Sequence, residues 1–487
     1  MLNKKISLFS LFQILTVFVI LGIILMYHFQ GDSSYVNSTT INYAISLGTI
    51  ILFVFRDAKK NRNPMLFVLA YWTLLYCLLR VLTLNYTDFS VPLLRSGASV
   101  EDVNATLCIY LIATIILWII LRKNSTQFKK NINLKYDKNS VNKAVKLFGV
   151  AIIIHIIAGM GVPIIGGVAV ILKQFVLNFF YLLIMMVVYF FLQWKNVDKK
   201  DRLLLIFCLF VFVIYLTLGG SRSGIITIGK IILLICIVLG YHTIKFKYVI
   251  GIMCLVPVTV FLFMFSTAMR QFSMVDSSFS DKLSVVSLVV QENKDVDTRL
   301  ILAPVCDRIG FLDMTTEMYR QRNHLAEYIN IPRELMSIID NALTPGFDVF
   351  DVPRVSNVID NSYNFSDNIL LKKSKNSAES YHSDELTFYG ESVILCGLSF
   401  AFIFIAVIGI VLKKYYAKSE FYLDERRFIF KVIVVYLFEV LLSSFGIDWL
   451  VLEIVNMAIT YIIFERYVLR GVRYKCTNPI VGHNAFR

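Results

Sequence analysis

The sequence predicts an all-α fold, a polytopic membrane helix bundle of about twelve transmembrane helices with one large, partly helical extracytoplasmic loop. Three observations lead to this prediction. The mean hydropathy is +0.68, and hydrophobic residues make up 57% of the 487 residues. Apolar runs close to the length of about 20 residues that crosses a bilayer recur along the chain. The charged residues between these runs are distributed unequally on the two sides.

The expected spans are a series of apolar runs bounded by polar or charged residues. The first run is too long for a signal-peptide core and lacks a small-x-small cleavage site, so we expect it to be retained as a span. The runs lie at about residues 8–27, 41–55, 65–84, 103–121, 147–163, 175–194, 203–218, 224–240, 248–268, 390–412, 428–442 and 448–464.

The orientation follows from the basic residues in the connections. If the N-terminus is cytoplasmic and the spans alternate, the cytoplasmic segments hold 30 Lys and Arg, whereas the short outer connections hold three, Arg95, Lys173 and Arg222. This asymmetry is the positive-inside rule, and it predicts a plasma (inner) membrane protein with both termini in the cytoplasm. The net charge of +14 then lies against anionic lipid, so no nucleic-acid partner is expected.

The predicted organisation has four parts. Residues 1–268 form spans one to nine, 269–389 the extracytoplasmic loop, 390–464 spans ten to twelve, and 465–487 a cytoplasmic tail. The loop carries 18 acidic and 12 basic residues between Arg270 and Phe388. Apolar spacing within it predicts helices over 297–319 and 332–343. The composition of 344–380 is that of a loop with little core of its own.

Metal and cofactor chemistry is not expected. Six of the eight cysteines fall in predicted spans, and no two are placed for an extracytoplasmic disulfide. The outer side has no His-x-x-x-His or Cys-x-x-Cys arrangement, so no metal site is predicted. The cytoplasmic side has no Walker-type loop, which argues against direct coupling to ATP.

The first candidate site is the outer turn at 218–224, Leu-Gly-Gly-Ser-Arg-Ser-Gly. Its amides begin the next helix, where the positive end of the helix dipole favours an anion. Arg222, flanked by Ser221 and Ser223, adds planar bidentate donors suited to phosphate or pyrophosphate. The alternative is that Arg222 only anchors the turn at the lipid headgroups.

Charged residues inside the spans are the second signal, since each costs a few kcal/mol at the bilayer centre and tends to face a water-filled cavity. Five of them fall in the outer half of their spans, which favours one polar cavity opening outward, whereas Lys431 lies near the cytoplasmic end of its span and can snorkel. The alternative is pairwise neutralisation of Arg80 or Lys230 by Glu439 or Asp448. The five residues are Arg80, Lys230, Glu439, Asp448 and Glu453.

Basic residues of the loop are further candidates for binding a phosphorylated substrate. They are Arg270, Arg299, Arg308, Arg320 and Arg322. The ordinary alternative is surface pairing with acids of the same loop. Those acids are Asp295, Asp297, Asp307 and Glu317.

His382 is the candidate general base. It stands in the loop just before the chain re-enters the membrane, where its side chain can reach both the loop and the cavity mouth. An imidazole titrates near the working pH and can take a proton from a sugar hydroxyl. With Asp384 and Glu385 beside it, His382 could equally be an ordinary surface residue.

These pieces carry a family resemblance. The Gly-Gly-Ser-Arg-Ser-Gly turn opens a middle span, the large outer loop follows about the ninth span, and His382-x-x-x-Leu386 precedes a span containing Gly397. This layout resembles the bacterial O-antigen polymerase and ligase superfamily, and within it the Wzy-type oligosaccharide repeat-unit polymerases. The family's ligases often have His-Asn or His-Ser followed by a closely spaced Gly. This chain departs from that pattern, because His382-Ser383 is followed by Asp-Glu.

The resemblance implies metal-independent, inverting glycosyl transfer from undecaprenyl-pyrophosphate-linked sugars on the outer face of the plasma membrane, with no cofactor. The pyrophosphate-binding arginines of the family map onto Arg222 and onto Arg270, Arg299 or Arg308, and the loop histidine maps onto His382. A chain-length regulator and a flippase of the same pathway are the implied protein partners.

The residues fit this chemistry independently. A lipid-linked donor presents its pyrophosphate at the outer headgroup level, where Arg222, Arg80 and Lys230 are expected. Electrostatic stabilisation of the leaving group supplies most of the catalysis, and His382 deprotonates the acceptor hydroxyl. The other polar residues expected in the cavity are Glu439, Asp448 and Glu391.

Two alternatives stay open at this point. A ligase of the same superfamily would use the same donor. A transporter or flippase for a lipid-linked sugar would also have about twelve spans and intramembrane charge, but such folds usually show two similar halves and short loops.

Overall fold

A computed structural model describes the part of the chain discussed below. The described residues are 5–87, 98–122, 138–159, 181–194, 197–218, 222–240, 243–245, 310–340, 350, 387–419, 422, 425–442 and 447–469. They are almost entirely helical, as the sequence predicts. The exception is a short antiparallel pairing of β1 (Lys5–Ser7) with β2 (Thr243–Lys245), with Lys5 opposite Lys245.

The helices follow the apolar runs. The run at 248–268 lies outside the described residues, and each of the others coincides wholly or partly with a helix. In the first half they are α1 (Leu8–Gln30), α2 (Ser38–Asn61), α3 (Pro64–Thr73), α4 (Leu79–Thr87), α5 (Val100–Arg122), α6 (Lys138–Gly159), α7 (Tyr181–Gln193), α8 (Lys199–Leu218) and α9 (Arg222–Val238). In the second half they are α10 (Phe311–Arg320), α11 (Arg322–Tyr328), α12 (Ile331–Ile338), α13 (Phe388–Lys418), α14 (Glu425–Leu442) and α15 (Ile447–Phe464).

Five helical segments among the described residues are long and apolar enough to cross a membrane, which indicates a membrane protein. They are Leu8–Gln30, Ser38–Asn61, Pro64–Leu84, Val100–Arg122 and Phe388–Lys418. The third combines α3, a π turn at Leu74–Leu78 and most of α4. The expected number of about twelve spans stays a prediction.

The chain forms two compact units, the first made of residues 1–130, 214–422 and 426–455. In this unit, α2 packs against α1, α3 and α5, and α13 packs along α5. Small residues permit the close approach. A Cβ on Gly48 would lie 2.5 Å from Ile20 Cδ1 of α1, and one on Gly409 would lie 2.9 Å from Leu117 Cδ2 of α5. Such small-residue contacts are typical of helices packed in a bilayer.

Helix α13 is interrupted at Gly397, whose φ of 70° is a left-handed conformation that glycine adopts without strain. At 31 residues it would be about 46 Å long as one straight helix, more than the roughly 30 Å of bilayer hydrocarbon. Residues 388–394, before the break, are buried in the protein. After it, Phe400 and Ile403 are exposed, as expected for a surface that faces lipid.

One end of the first unit holds the C-terminal end of α5, and we call it the basic end because Lys59, Arg122 and Lys413 lie there. The last carbonyls of α5 lack helical partners and need donors. Lys413 Nζ donates to Ile120 O at 2.8 Å, and Asn63 Nδ2 donates to Leu121 O at 2.9 Å. Arg122 also pairs with Asp57 at 2.9 Å. Cations at a helix C-terminus complement its dipole, so this end of the bundle is well capped.

The opposite end holds the C-terminal part of α4 and the starts of α5 and α13, and we call it the insert end. Helix α10, from the predicted extracytoplasmic loop, packs between α5 and α13 there, and its residues 311–318 are all buried. The close approach needs Gly390, because a Cβ there would lie 2.6 Å from Met318 Sδ and 3.1 Å from Met318 Cβ. The predicted loop helices are confirmed where they are described, at α10 and α12.

The second unit comprises residues 131–213, 423–425 and 456–487. Aromatic contacts join its helices, with Phe148 of α6 6.0 Å from Phe190 of α7, and Tyr189 of α7 6.1 Å from Phe464. Gln193 Nε2 donates to Glu425 Oε1 at 2.7 Å. Helix α6 also contacts the π turn at Glu465–Leu469.

Substituting Gly390→Ala tests the docking of α10. We expect it to lower the free energy of unfolding by about 1–3 kcal/mol, because overpacking forces Met318 away from α13. Thermal unfolding of the purified protein in detergent measures the effect. Gly149→Ala in α6 is the matched control, since a Cβ there meets nothing within 4 Å. Equal shifts in the two variants would contradict the close packing of α10.

Candidate functional site

A buried ion pair joins the predicted loop to the spanning helices. Arg80 of α4 and Asp313 of α10 both have fully buried side chains. Arg80 Nε donates to Asp313 Oδ1 at 2.9 Å, and Nη2 donates to Oδ2 at 2.8 Å. Arg80 Nη1 also donates to Thr83 Oγ1 at 2.9 Å. This planar two-point geometry is the strongest form of Arg–carboxylate pairing, so it fixes α10 in position and orientation.

Hydroxyl groups extend the polar contact from α10 to the start of α13. The Tyr110 hydroxyl of α5 donates to Phe311 O at 3.2 Å and lies 2.9 Å from Thr315 Oγ1. Thr315 Oγ1 is 2.7 Å from Thr387 Oγ1, which accepts from the backbone N–H of Gly390 at 3.2 Å. Thr387 is the N-cap of α13. One chain of hydrogen bonds therefore links α5, α10 and the first turn of α13.

An aromatic cluster surrounds these contacts. Phe311 of α10 lies with its ring centroid 4.8 Å from Tyr76 and 5.5 Å from Trp72, in edge-to-face geometry. The ring centroids of Tyr110 and Tyr389 are 4.9 Å apart, also in edge-to-face geometry. Trp72 Nε1 and the Tyr389 hydroxyl are buried without a hydrogen-bond partner among the described residues. The cluster is therefore held mainly by packing, with aromatic pairs adding about 0.5–1.5 kcal/mol each.

Lys230 of α9 and Glu439 of α14 form a second ion pair. Lys230 Nζ lies 2.7 Å from Glu439 Oε1, and the Tyr71 hydroxyl donates to the same oxygen at 3.4 Å. The Lys230 ammonium also lies 5.3 Å from the Tyr76 ring centroid, which is cation–π geometry. Tyr76 belongs to the π turn at Leu74–Leu78, and its ring contacts both the Lys230 ammonium and Phe311 of α10. Single π-helical turns inside α-helices are frequent at functional sites.

Glu391 connects α13 to α15. Its side chain is 1% exposed, and Oε1 accepts the backbone N–H of Ile447 at 2.9 Å. Ile447 is the first residue of α15, so the carboxylate occupies a helix N-terminus, where negative charge is favoured. Asp448 lies in the same first turn, and its side chain is outside the described residues.

Helix α9 begins at Arg222. Residues 219–221 before it lie outside the described residues, so the anion site stays a prediction. The side chains of Arg222 and Ser223 are not described. Ser221 and His382 lie outside the described residues, as do the loop arginines Arg270, Arg299 and Arg308.

The neutralising partner of Arg80 differs from the one considered in the sequence. Glu439 or Asp448 was the partner that the neutralisation alternative named, whereas the structure pairs Arg80 with Asp313 of the loop. The pairing of Lys230 with Glu439 agrees with the neutralisation alternative. Arg80 as a pyrophosphate ligand stays a prediction, but its full burial against Asp313 favours a structural role.

Sequence reasoning did not single out Asp313 or Tyr110. Asp313 is one of 18 acids in a loop interpreted as solvated, and Tyr110 is one of 25 tyrosines. A usable signal was the spacing of apolar residues on both sides of Asp313, which leaves α10 little solvent-facing surface. Arg320 pairs with Glu317 at 2.5 Å, an acid of the same loop as the pairing alternative expected, but the Glu317 side chain is buried, so this is not a surface pair.

A groove of about 360 Å³ lies beside these contacts, between α2, α5, α10 and α13. Among the described residues that line it, Glu101 is the charged one, and Asn104 and Tyr43 add polar groups. Its apolar lining includes Ile109, Leu398 and Phe402. The groove suits a hydrocarbon chain better than an anion.

Metal-ligating groups do not cluster in the part of the chain that is described. No three His, Cys, Asp or Glu residues within it are placed to hold a metal ion. Comparison with protein-family models, with curated proteins and with solved structures finds no match to this chain.

A double-mutant cycle tests the Arg80–Asp313 pair. We expect Arg80→Met or Asp313→Leu alone to cost about 3–5 kcal/mol of unfolding free energy, because each leaves an uncompensated buried charge. The double variant removes both charges and should recover most of this loss. Thermal or denaturant unfolding in detergent measures each variant.

Lys138→Met is the control for a surface pair. Lys138 and Asp198 are 3.3 Å apart, but their side chains are 63% and 58% exposed, so the expected loss is at most about 1 kcal/mol. If the double variant at Arg80 and Asp313 instead lost the sum of the two single losses in unfolding free energy, the two residues would not be coupled.

Proposed function

We propose that this protein polymerises undecaprenyl-pyrophosphate-linked oligosaccharide repeat units into surface polysaccharide, an O-antigen, capsule or exopolysaccharide. The reaction is an inverting, metal-independent glycosyl transfer on the outer face of the plasma membrane. The observation that carries the proposal is the start of α9 at Arg222, which puts Arg222 and Ser223 in the first turn of an apolar helix. Such a terminus favours a pyrophosphate through its free amides and its dipole.

The proposed topology has about twelve spans, with both termini in the cytoplasm and the loop of residues 269–389 outside. The contacts at the two ends of the first unit support this arrangement. Helix α10 of the loop contacts the ends of α4, α5 and α13 that the positive-inside rule assigns to the outer side. Lys59, Arg122 and Lys413 meet at the opposite end, the one assigned to the cytoplasm.

Arg222, with Ser221 and Ser223, is the proposed pyrophosphate site. Lys230 stands eight residues further along α9, about 12 Å deeper by helical rise. Its bond to Glu439 holds α9 against α14 and steadies the terminus that receives the anion. Arg80 holds helix α10 of the loop in position by binding Asp313. Loop arginines, Arg270, Arg299 or Arg308, complete the proposed site.

The proposed step is a single displacement at the sugar carbon bonded to the pyrophosphate. An acceptor hydroxyl forms the new glycosidic bond, the bond to pyrophosphate breaks, and the lipid pyrophosphate leaves with its electron pair. His382 accepts the hydroxyl proton, and Arg222 stabilises the charge on the leaving group. The sugar–pyrophosphate bond is already activated, so no nucleotide is consumed. The polar residues Glu391, Glu439 and Asp448 are proposed to hold the surrounding helix ends.

The proposed partners follow from the pathway that this reaction requires. A flippase must deliver the lipid-linked unit to the outer face, and a chain-length regulator sets the length of the polymer. The groove between α5 and α13 offers apolar lining to part of a lipid carrier.

Arg222→Ala tests the anion site. We expect it to lower the rate of repeat-unit elongation by the purified protein by about 10²–10³, the usual loss on removing one donor to a developing negative charge. Lys199→Ala is the matched control, because Lys199 also begins an apolar helix, α8, on the predicted cytoplasmic side. An unchanged rate in Arg222→Ala, or an equal loss in Lys199→Ala, would contradict the assignment.

His382→Gln tests the general base in cells. Long-chain polysaccharide should disappear while single repeat units remain on the surface, as gel analysis of the polymer would show. Polymer that accumulates on its lipid carrier would indicate a ligase instead. Loss of outward movement of the lipid-linked unit, with no defect in its elongation, would indicate a flippase.

A further inference from the structure

Helix α12, in the predicted loop, has its polarity inverted relative to a helix that faces water. Ile331, Leu335 and Met336 are 58%, 56% and 38% exposed. On the opposite face, Glu334 and Ser337 are buried, spaced three residues apart as neighbours on one side of a helix. Asp340, three residues further, is buried as well. A water-facing helix would show the reverse arrangement.

The boundaries of α12 are well defined, so this polarity belongs to a formed helix. The Asn330 side chain accepts the backbone N–H of Arg333 at 3.1 Å, and Pro332 occupies the first turn. Both are strong N-terminal signals. Asp340 accepts the backbone N–H of Phe350 at 3.1 Å, which ties Phe350 to this segment. Phe350 is itself 46% exposed and adds to the apolar surface.

Exposure of this face to water would be unfavourable. Leaving a large apolar side chain in water forfeits about 1.5–3 kcal/mol relative to burial. The exposed residues resemble those on the lipid-facing part of α13, where Leu398, Phe400 and Ile403 are 43%, 65% and 59% exposed. Apolar residues outward with carboxylates inward is the pattern expected when the surroundings are hydrocarbon.

The tether keeps α12 near the bundle. Helix α10 ends at Arg320, after packing against Tyr110, which lies ten residues into α5. Ten residues lie between Arg320 and Ile331, and the seven of α11 among them are helical and contact α13. The start of α12 is therefore within about 25 Å of the end of α10, by helical rise and extended-chain length.

We infer that α12 lies in the outer leaflet of the bilayer, with Ile331, Leu335, Met336 and Phe350 against the acyl chains of phospholipids. The apolar face consists of only four side chains. Their combined surface is well short of the roughly 800 Å² per partner that a stable protein interface buries. A bilayer needs no such minimum, because the binding of an interfacial helix scales with its buried apolar area, together with any attraction to anionic lipid. The helix then anchors the loop to the membrane surface, whichever reaction the protein performs.

Fluorescence in liposomes tests this inference. An environment-sensitive fluorescent amino acid, introduced by codon suppression at Leu335 of the full-length protein, should show blue-shifted emission. Phospholipids with a nitroxide near the headgroup should quench it at least twofold more than at the control position. The control is Glu327 of α11, whose side chain is 69% exposed and which the same tether holds near the bundle.

Each outcome decides the matter. Strong quenching at Leu335 and weak quenching at Glu327 supports the inference. Equal quenching and water-like emission at both positions overturns it. Blue-shifted emission at Leu335 without lipid quenching also overturns it, because a protein partner or a second copy would then cover the face. If the Leu335 variant does not fold, Ile331, one turn earlier on the same face, carries the same measurement.

Discussion

The buried pairing of Arg80 with Asp313 is the interaction on which the insert end of this protein depends. Two charges removed from solvent are tolerated only with close geometry and further hydrogen bonds, and both are present. The pair joins a membrane helix to the predicted loop, and residues 233 positions apart in sequence thereby become neighbours. Helix α10 is consequently part of the helical core and not a cover lying above it.

Several other features depend on that docking. The hydroxyl chain through Tyr110, Thr315 and Thr387 sets the first turn of α13, and Glu391 of that turn holds the start of α15. Tyr76 touches both α10 and the Lys230 ammonium of α9, the helix that begins at Arg222. The proposed pyrophosphate site lies at the start of α9, and the proposed base His382 precedes α13 in sequence. Both of these helices depend on contacts that α10 makes.

The helical class and the positions of most described helices could be predicted from the sequence, because apolar length is a local property. The start of α9 at Arg222 was predictable from its glycines and hydroxyls. The partner of Arg80 was not, because local spacing cannot tell which of many loop acids a buried arginine will meet. The surface of α12 was also unpredictable, since Leu335 and Ile338 fit a core-facing stripe equally well, and only packing determines which side faces out.

The proposed activity is the lengthening of lipid-linked glycans without a metal or a nucleotide. The most direct measurement supplies the purified protein, in liposomes with a chelator present, with undecaprenyl-pyrophosphate-linked repeat units, and separates the products by length. The proposal predicts a ladder of products, each longer by one repeat unit and still attached to its lipid. Repeat units that stay single under these conditions, or that only cross the bilayer, would contradict it.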